Sequence, residues 1–105
     1  MTETTEFLKI IKQTVIQILP DGSVILFGSQ AKNIALPNSD YDLLIVVKNN
    51  MEISEKMQYK ALLRKILAKS GIISDIFIES EEDVKIKSRL LGHIIRTAIA
   101  EGKYL

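Results

Sequence analysis

The sequence predicts one domain of the α/β (α+β) class, a small sheet flanked by helices, and two observations lead to this prediction. Segments with helical and strand periodicity follow one another in the order helix, strand, strand, helix, strand, helix. The length of 105 residues is near the commonest domain size and is enough for one modest core, so a second domain is not expected. We therefore expect residues 1–105 to form a single domain in which helices cover the sheet.

The first half of the chain contains one predicted helix and two predicted strands. Apolar residues recur at helical spacing from Phe7 to Leu19, and the segment Pro20–Gly22 ends this pattern. The strands are SVILFG (residues 23–28) and YDLLIVV (residues 41–47), which are rich in β-branched and apolar residues. About a dozen residues connect them, which is too long for a tight hairpin and suits a short helix or an active-site loop.

The second half contains two predicted helices and a third strand. Ser54 is predicted to cap the second helix, and Gly71 to end it in the left-handed conformation. The apolar face of this helix is predicted to contain Met57, Ala61, Ile66 and Leu67. The segment IISDIFI (residues 72–78) is the third strand. Ser80 and the acidic residues after it begin a last helix, which the apolar spacing extends to Gly102.

The composition excludes several kinds of partner and site. The formal charge is +1, so no long-range field favours a nucleic acid or a membrane surface. The chain has no cysteine, which excludes disulfides, thiolate zinc sites and cysteine nucleophiles. No basic residue precedes the first apolar residues, and no apolar run approaches the roughly 20 residues of a membrane-spanning helix. We expect a cytoplasmic protein whose high hydrophobic content favours a homo-oligomer or docking to another protein.

Two carboxylates stand at the start of the second predicted strand. Because side chains alternate along a strand, Asp40 and Asp42 project from one face and Tyr41 from the other. Their like charges repel unless a cation lies between them, and carboxylate oxygens without soft ligands suit Mg²⁺ or Mn²⁺. The alternative is structural, because Asp40 also fits the end of a turn and Asp42 a solvated sheet edge.

A third carboxylate interrupts an apolar strand. Asp75 shares a face with Ile73 and Phe77, where an unpaired charge costs several kcal/mol if it is buried. One interpretation is an edge strand that exposes Asp75 to water. In the other, this strand lies beside the one that carries Asp40 and Asp42, and the three carboxylates together bind metal.

Gly28 and Ser29 complete a candidate phosphate site. A glycine at a strand end lets a ligand approach the backbone, and a helix beginning near Ser29 would direct free N–H groups at an anion. A Gly-Ser pair alone is a common turn. The informative feature is the set: a strand, Gly-Ser, ten residues, Asp-x-Asp at the start of a strand, and an isolated Asp in a third strand.

The segment GSQAKNIALPNSDYDLLIV (residues 28–46) resembles the signature of the DNA polymerase beta-type nucleotidyltransferase superfamily. The short chain, the strand SDIFI (residues 74–78) and the ending HIIRTAIAEGKYL (residues 93–105) resemble the minimal nucleotidyltransferases, or MNT proteins. This resemblance implies the polymerase beta-like fold, with a small mixed sheet, and a metal-dependent transfer from a nucleoside triphosphate.

The resemblance also implies a role for each site residue. Asp40 and Asp42 would bridge two Mg²⁺ ions, for which Mn²⁺ could substitute. Asp75 would complete the coordination of the first ion and help deprotonate the incoming hydroxyl. Gly28 and Ser29 would hold the triphosphate of ATP. Lys32 occupies a position where many relatives have arginine, and it keeps the positive charge while losing the planar fork.

Three functions remain open at this point. MNT proteins resemble antitoxins that act with HEPN-domain RNase toxins, which implies transfer of AMP to a toxin tyrosine. A second possibility is an antitoxin that masks its toxin without chemistry. A third is a small-molecule nucleotidyltransferase that forms its acceptor cleft as a dimer.

Overall fold

In the computed structural model, which describes residues 3–32 and 40–105, helices lie on both faces of a four-stranded sheet. The elements in chain order are α1 (Glu3–Ile18), β1 (Ser23–Phe27), β2 (Tyr41–Val47), α2 (Ile53–Lys69), β3 (Ser74–Ser80), α3 (Glu81–Lys87), α4 (Ile94–Glu101) and β4 (Lys103–Tyr104). The predicted α/β (α+β) class is confirmed. No helix in the described part of the chain is long and apolar enough to cross a bilayer.

The sheet is mixed, with the strand order β3-β2-β1-β4. Strand β1 pairs antiparallel with both β2 and β4, whereas β2 and β3 are parallel and joined through α2. Strands β3 and β4 are therefore the two edges of the sheet. The predicted mixed sheet is confirmed.

Each face of the sheet has its own hydrophobic core. On one face, α1 and α2 pack over alternate residues of the central strands, including Leu26, Leu43 and Ile45. On the other face, Ile95 and Ala98 of α4 pack against Ile25, Phe27 and Leu44. The central strands are buried on both sides, which explains their nearly continuous apolar sequences.

The α2 helix differs from its prediction at its start and along its apolar face. It begins at Ile53 after Glu52, and no side chain caps it, so the predicted cap at Ser54 is wrong. Leu63 and Leu67 are fully buried, whereas Met57 is 64% exposed. Leu67 of the predicted apolar face is thus confirmed, whereas Met57 and Ala61 are exposed and the residue that pairs with Leu67 at i, i+4 spacing is Leu63. The predicted left-handed Gly71 is confirmed by its φ of 81°.

The predicted last helix is wrong, because two helices occupy its place. Ser80 caps α3 as expected, its hydroxyl oxygen accepting a hydrogen bond from the Asp83 backbone N–H at 3.1 Å. The helix then ends at Lys87, and Gly92 has a φ of 77°, which breaks helical geometry. His93 caps the start of α4, where its Nδ1 accepts a hydrogen bond from the Ile95 N–H at 3.1 Å.

The ends of the chain's strands also differ from expectation. The third strand runs over Ser74–Ser80, two residues later than predicted, because its parallel partner β2 continues to Val47. The short β4 was not predicted, and it pairs with β1 through Lys103 and Tyr104. Two exposed residues carry no sequence pattern by which a strand could be identified.

Candidate active site

Strand register brings the predicted site residues to one end of the sheet. The antiparallel pairing of β1 and β2 puts Phe27 opposite Asp42, so Gly28 directly follows the residue that faces this carboxylate. The parallel pairing of β2 and β3 puts Asp42 opposite Asp75. Asp40 lies immediately before β2, two residues from Asp42. Three separate segments of the sequence therefore meet at this end.

The same residues share one face of the sheet. Phe27 and Phe77 have ring centroids 5.9 Å apart, and strand alternation puts Asp42 and Asp75 on the face of these rings. Tyr41 is buried on the opposite face, where its ring meets that of Phe7 edge-on at 6.1 Å. The predicted separation of Tyr41 from the carboxylates is confirmed.

Asp42 is the electrostatically perturbed member of the group. Burial raises the pKa of its carboxyl above the ordinary value of 3.8, and the negative charges of Asp75 and then Asp40 raise it further. The folded chain thus holds this proton more tightly than the unfolded chain does. Fold stability therefore falls as the pH rises from 3.8 through the raised pKa, and the cost of ionisation persists at higher pH.

Gly28 lies against the Asp42 carboxylate with no space between them. A Cβ atom at this position would collide with Asp42 Oδ2, and it would lie only 3.1 Å from Asp42 Cγ. The φ of 75° is also a conformation that residues with side chains rarely adopt. Both the backbone conformation and the packing require glycine here, and the approach of a phosphate to the Gly28 backbone stays a prediction.

Ser29 and Lys32 belong to the turn that follows Gly28. The Lys32 backbone N–H donates a hydrogen bond to the Ser29 carbonyl oxygen at 3.2 Å. No helix begins between Ser29 and Lys32; the rest of the predicted helix or loop, residues 33–39, lies outside the described residues. The side chain of Lys32 reaches the end of α4, where its Nζ is 3.3 Å from Glu101 Oε2.

Comparison with known families identifies the chain. Residues 8–98 match the family model described as "Nucleotidyltransferase domain". The chain belongs to the nucleotidyltransferase domain family. The superfamily that the Gly-Ser and Asp-x-Asp motif indicated is thereby confirmed. A search of curated proteins gave no significant match to this nucleotidyltransferase domain.

Solved structures of low sequence identity have the same fold. A toxin-antitoxin structure with AMP-PNP is 19% identical, with a TM-score of 0.64 over 93% of this chain and 70% of that chain. The toxin-antitoxin MntA-HepT is 17% identical, with a TM-score of 0.58 over 97% of this chain and 70% of that chain. A tri-AMPylated Shewanella oneidensis HEPN toxin in complex with MNT antitoxin is 13% identical, with a TM-score of 0.58 over 96% of this chain and 70% of that chain. The nucleotidyltransferase therefore has the fold predicted from its motif.

The three carboxylates of the nucleotidyltransferase site, Asp40, Asp42 and Asp75, are chemically suited to bind a hard divalent cation. Burial raises the pKa of Asp42, the charges of Asp75 and Asp40 add to this cost of ionisation, and a bound cation would offset the repulsion. In residues 3–32 and 40–105, no three acidic or histidine side chains are gathered closely enough to hold a metal ion. Asp40 and Asp75 are exposed, so their side chains have room to turn toward Asp42. Metal binding by this set stays a prediction.

The position of Asp75 agrees with both of its sequence interpretations, while its predicted metal binding stays a prediction. It lies on an edge strand and is exposed to water, so its charge needs no buried partner. It also lies beside Asp42, because the edge strand is the direct neighbour of β2. The sequence pattern did not identify Glu101, which contacts Lys32 from α4. One signal was available, since an acid in the last turn of a helix is repelled by the helix dipole and is stabilised by a cation nearby.

Proposed function

We propose that this nucleotidyltransferase transfers AMP from ATP to a tyrosine hydroxyl of a HEPN-domain partner and so acts as an antitoxin. The observation that carries the proposal is the register of β2 and β3, which puts Asp42 opposite Asp75 with Asp40 two residues before Asp42. The Asp42 carboxylate also lies against Gly28, at the start of the turn proposed to hold the triphosphate.

The choice of nucleotide and partner is supported by the structural neighbours. One is a toxin-antitoxin structure with AMP-PNP, and another is an MNT antitoxin in complex with a tri-AMPylated HEPN toxin. The matches cover 93% and 96% of this chain, which is nearly its whole length. Large apolar side chains are exposed, among them Leu91 at 85% and Ile53 at 75%, which suits a chain that docks to another protein.

The proposed reaction is an in-line displacement at the α-phosphorus of ATP. The tyrosine oxygen forms a bond to this phosphorus, the bond from the phosphorus to the bridging oxygen breaks, and pyrophosphate leaves. Asp75, an exposed residue of an edge strand, accepts the tyrosine proton. Mg²⁺, or Mn²⁺, bound by Asp40, Asp42 and Asp75 would supply Lewis-acid stabilisation of the phosphate oxygens.

The turn after β1 orients the leaving phosphates in this proposal. Gly28 has no side chain to separate the backbone from a phosphate, and the Ser29 hydroxyl adds a hydrogen-bond donor. Lys32 has a flexible stem and a compact charge that suits the outer phosphates. These groups bind and position the triphosphate, whereas the carboxylates act at the transferred phosphorus and the tyrosine hydroxyl.

The proposal is tested by the mass of a co-expressed HEPN partner after incubation with the chain, ATP and Mg²⁺. We expect one or more adenylate additions on a partner tyrosine with the wild type, and none with Asp42→Asn or Asp75→Asn. Asp21→Asn is the matched control, because Asp21 is exposed in the turn before β1, at the other end of that strand. It should modify the partner at the wild-type rate.

An unmodified partner would contradict the transfer reaction. If the partner nevertheless remained inhibited by both the wild type and Asp42→Asn, the result would support an antitoxin that acts by masking alone. Transfer of AMP to a small molecule in place of the partner would support the dimeric small-molecule enzyme.

A further inference from the structure

An ion pair connects the proposed triphosphate turn with the end of α4. Lys32 Nζ and Glu101 Oε2 are 3.3 Å apart, and each side chain is about half-exposed, at 49% and 48%. Lys32 lies three residues beyond Ser29, in the turn that follows β1. Glu101 is the last residue of α4. The pair therefore joins two elements that are far apart in sequence.

Glu101 occupies an unfavourable position within its own helix. The carbonyl end of a helix carries partial negative charge, so a carboxylate in the last turn is repelled. The last turn of α4 contains no basic residue that could offset this repulsion. Lys32 supplies the cation from outside the helix. Glu101 also lies beyond residues 8–98, which match the nucleotidyltransferase family model.

The end of α4 is held firmly over β1. A Cβ atom at Gly102 would collide with the Ile25 side chain and with the carbonyl oxygen of Ala98. Directly after Gly102, β4 pairs with β1, Lys103 lying opposite Leu26. Because the backbone on both sides of Glu101 is anchored, its carboxylate stays near the turn that contains Lys32.

We infer that Glu101 is a positioning residue that competes with the outer phosphates of a nucleoside triphosphate for Lys32. The inference rests on the nucleotide site of the proposed function. In the nucleotide-free chain, Glu101 holds the lysine against α4. A bound triphosphate attracts the ammonium more strongly than one carboxylate does and draws it away, and Glu101 is left unpaired at the negative end of the helix. The pair thus lowers triphosphate affinity and weakens the preference for triphosphate over monophosphate that Lys32 provides.

The test is a double-mutant cycle measured by calorimetry, with AMP-PNP and with AMP in the presence of Mg²⁺. Glu101→Gln should bind AMP-PNP about 1.4- to 5-fold more tightly than the wild type, as expected when an exposed ion pair no longer competes. In the Lys32→Gln background, Glu101→Gln should change AMP-PNP affinity by less than the error of the measurement. AMP affinity should be the same in all four chains. Glu55→Gln, which removes an exposed charge from the first turn of α2, is the matched control and should not change AMP-PNP affinity.

A second variant separates nucleotide binding from stability. Exchanging the charges in Lys32→Glu/Glu101→Lys keeps an ion pair and places the cation at the favourable end of the helix. The exchange should leave the unfolding temperature at or above that of the wild type and remove the preference for AMP-PNP over AMP.

Three results would overturn the inference. Equal tightening by Glu101→Gln with and without Lys32 would mean that Glu101 acts by direct repulsion of the nucleotide. Unchanged or weaker AMP-PNP binding in Glu101→Gln would mean that no competition exists. A wild type that does not bind AMP-PNP would remove both the inference and the proposed nucleotide site. A chain that fails to modify its partner but gives the expected cycle would overturn the proposed transfer alone.

Discussion

Replacing Gly28 by alanine tests whether the contact between Gly28 and Asp42 supports the site. The substitution is expected to strain the backbone and also to displace the Asp42 carboxylate, and the structure separates these two effects. The φ of 75° is strained for alanine, which costs about 1–2 kcal/mol of folding stability. The new Cβ also overlaps Asp42 Oδ2 and comes within 3.4 Å of Asp42 Cβ, so the carboxylate must turn away from its position.

Gly92→Ala is the control that contains only the first effect. Gly92 has a φ of 77°, and no atom lies within 4 Å of the place its Cβ would take. Gly92→Ala should lose about 4–16 °C in unfolding temperature, from 1–2 kcal/mol at about 4–8 °C per kcal/mol for a domain of this size, and Gly28→Ala should lose at least as much. Only Gly28→Ala should weaken binding of AMP-PNP with Mg²⁺, by about 10- to 100-fold, the usual loss when the support of a metal ligand is removed.

The assay is calorimetric titration of AMP-PNP with Mg²⁺ into each chain, at a temperature where both variants are folded by circular dichroism. Chelation of the metal should abolish binding by the wild type and by Gly92→Ala. If Gly28→Ala bound AMP-PNP as tightly as Gly92→Ala, the position of the Asp42 carboxylate would be irrelevant to nucleotide binding. The proposed site would then be wrong.

Three further predictions concern charge, capping and the core. Asp42→Asn should raise the unfolding temperature in metal-free buffer at pH 7, because it removes an ionised group whose pKa is raised by burial. The gain should disappear below pH 3.8, and a gain that persists in acid would contradict the raised pKa of Asp42. Ser80→Ala should cost about 1 kcal/mol of unfolding free energy in urea denaturation, because it removes the cap of α3. Ser54→Ala removes no cap and should stay within about 0.5 kcal/mol of the wild type. Leu63→Ala should cost about 2–5 kcal/mol of unfolding free energy, because the Leu63 side chain is fully buried. A similar loss from Leu62→Ala would contradict the orientation of α2, because Leu62 is 45% exposed.

Residue pattern alone was sufficient for the longer elements from α1 to β3. Side-chain period and turn residues identified α1 and the three long strands, because burial against a sheet imposes periodicity on each segment separately. The cap at Ser80 and the left-handed Gly71 were also predictable, since each depends on the chemistry of one residue at a helix end. The spacing of Gly28-Ser29 from Asp40 and Asp42 was specific enough to indicate the family.

Tertiary structure decided which of these elements meet. The parallel register that puts Asp75 opposite Asp42 depends on how β2 and β3 pair through α2, and side-chain period gives no information on that pairing. The split of the last helix was equally undetermined, because the apolar spacing continues across Gly92 although Leu90 and Leu91 stay exposed. The contact between Lys32 and Glu101 joins residues 69 positions apart, and only the packing of α4 over β1 brings their charges together. A local pattern reports the environment of its own segment, whereas a site formed from several segments depends on the free energy of their packing.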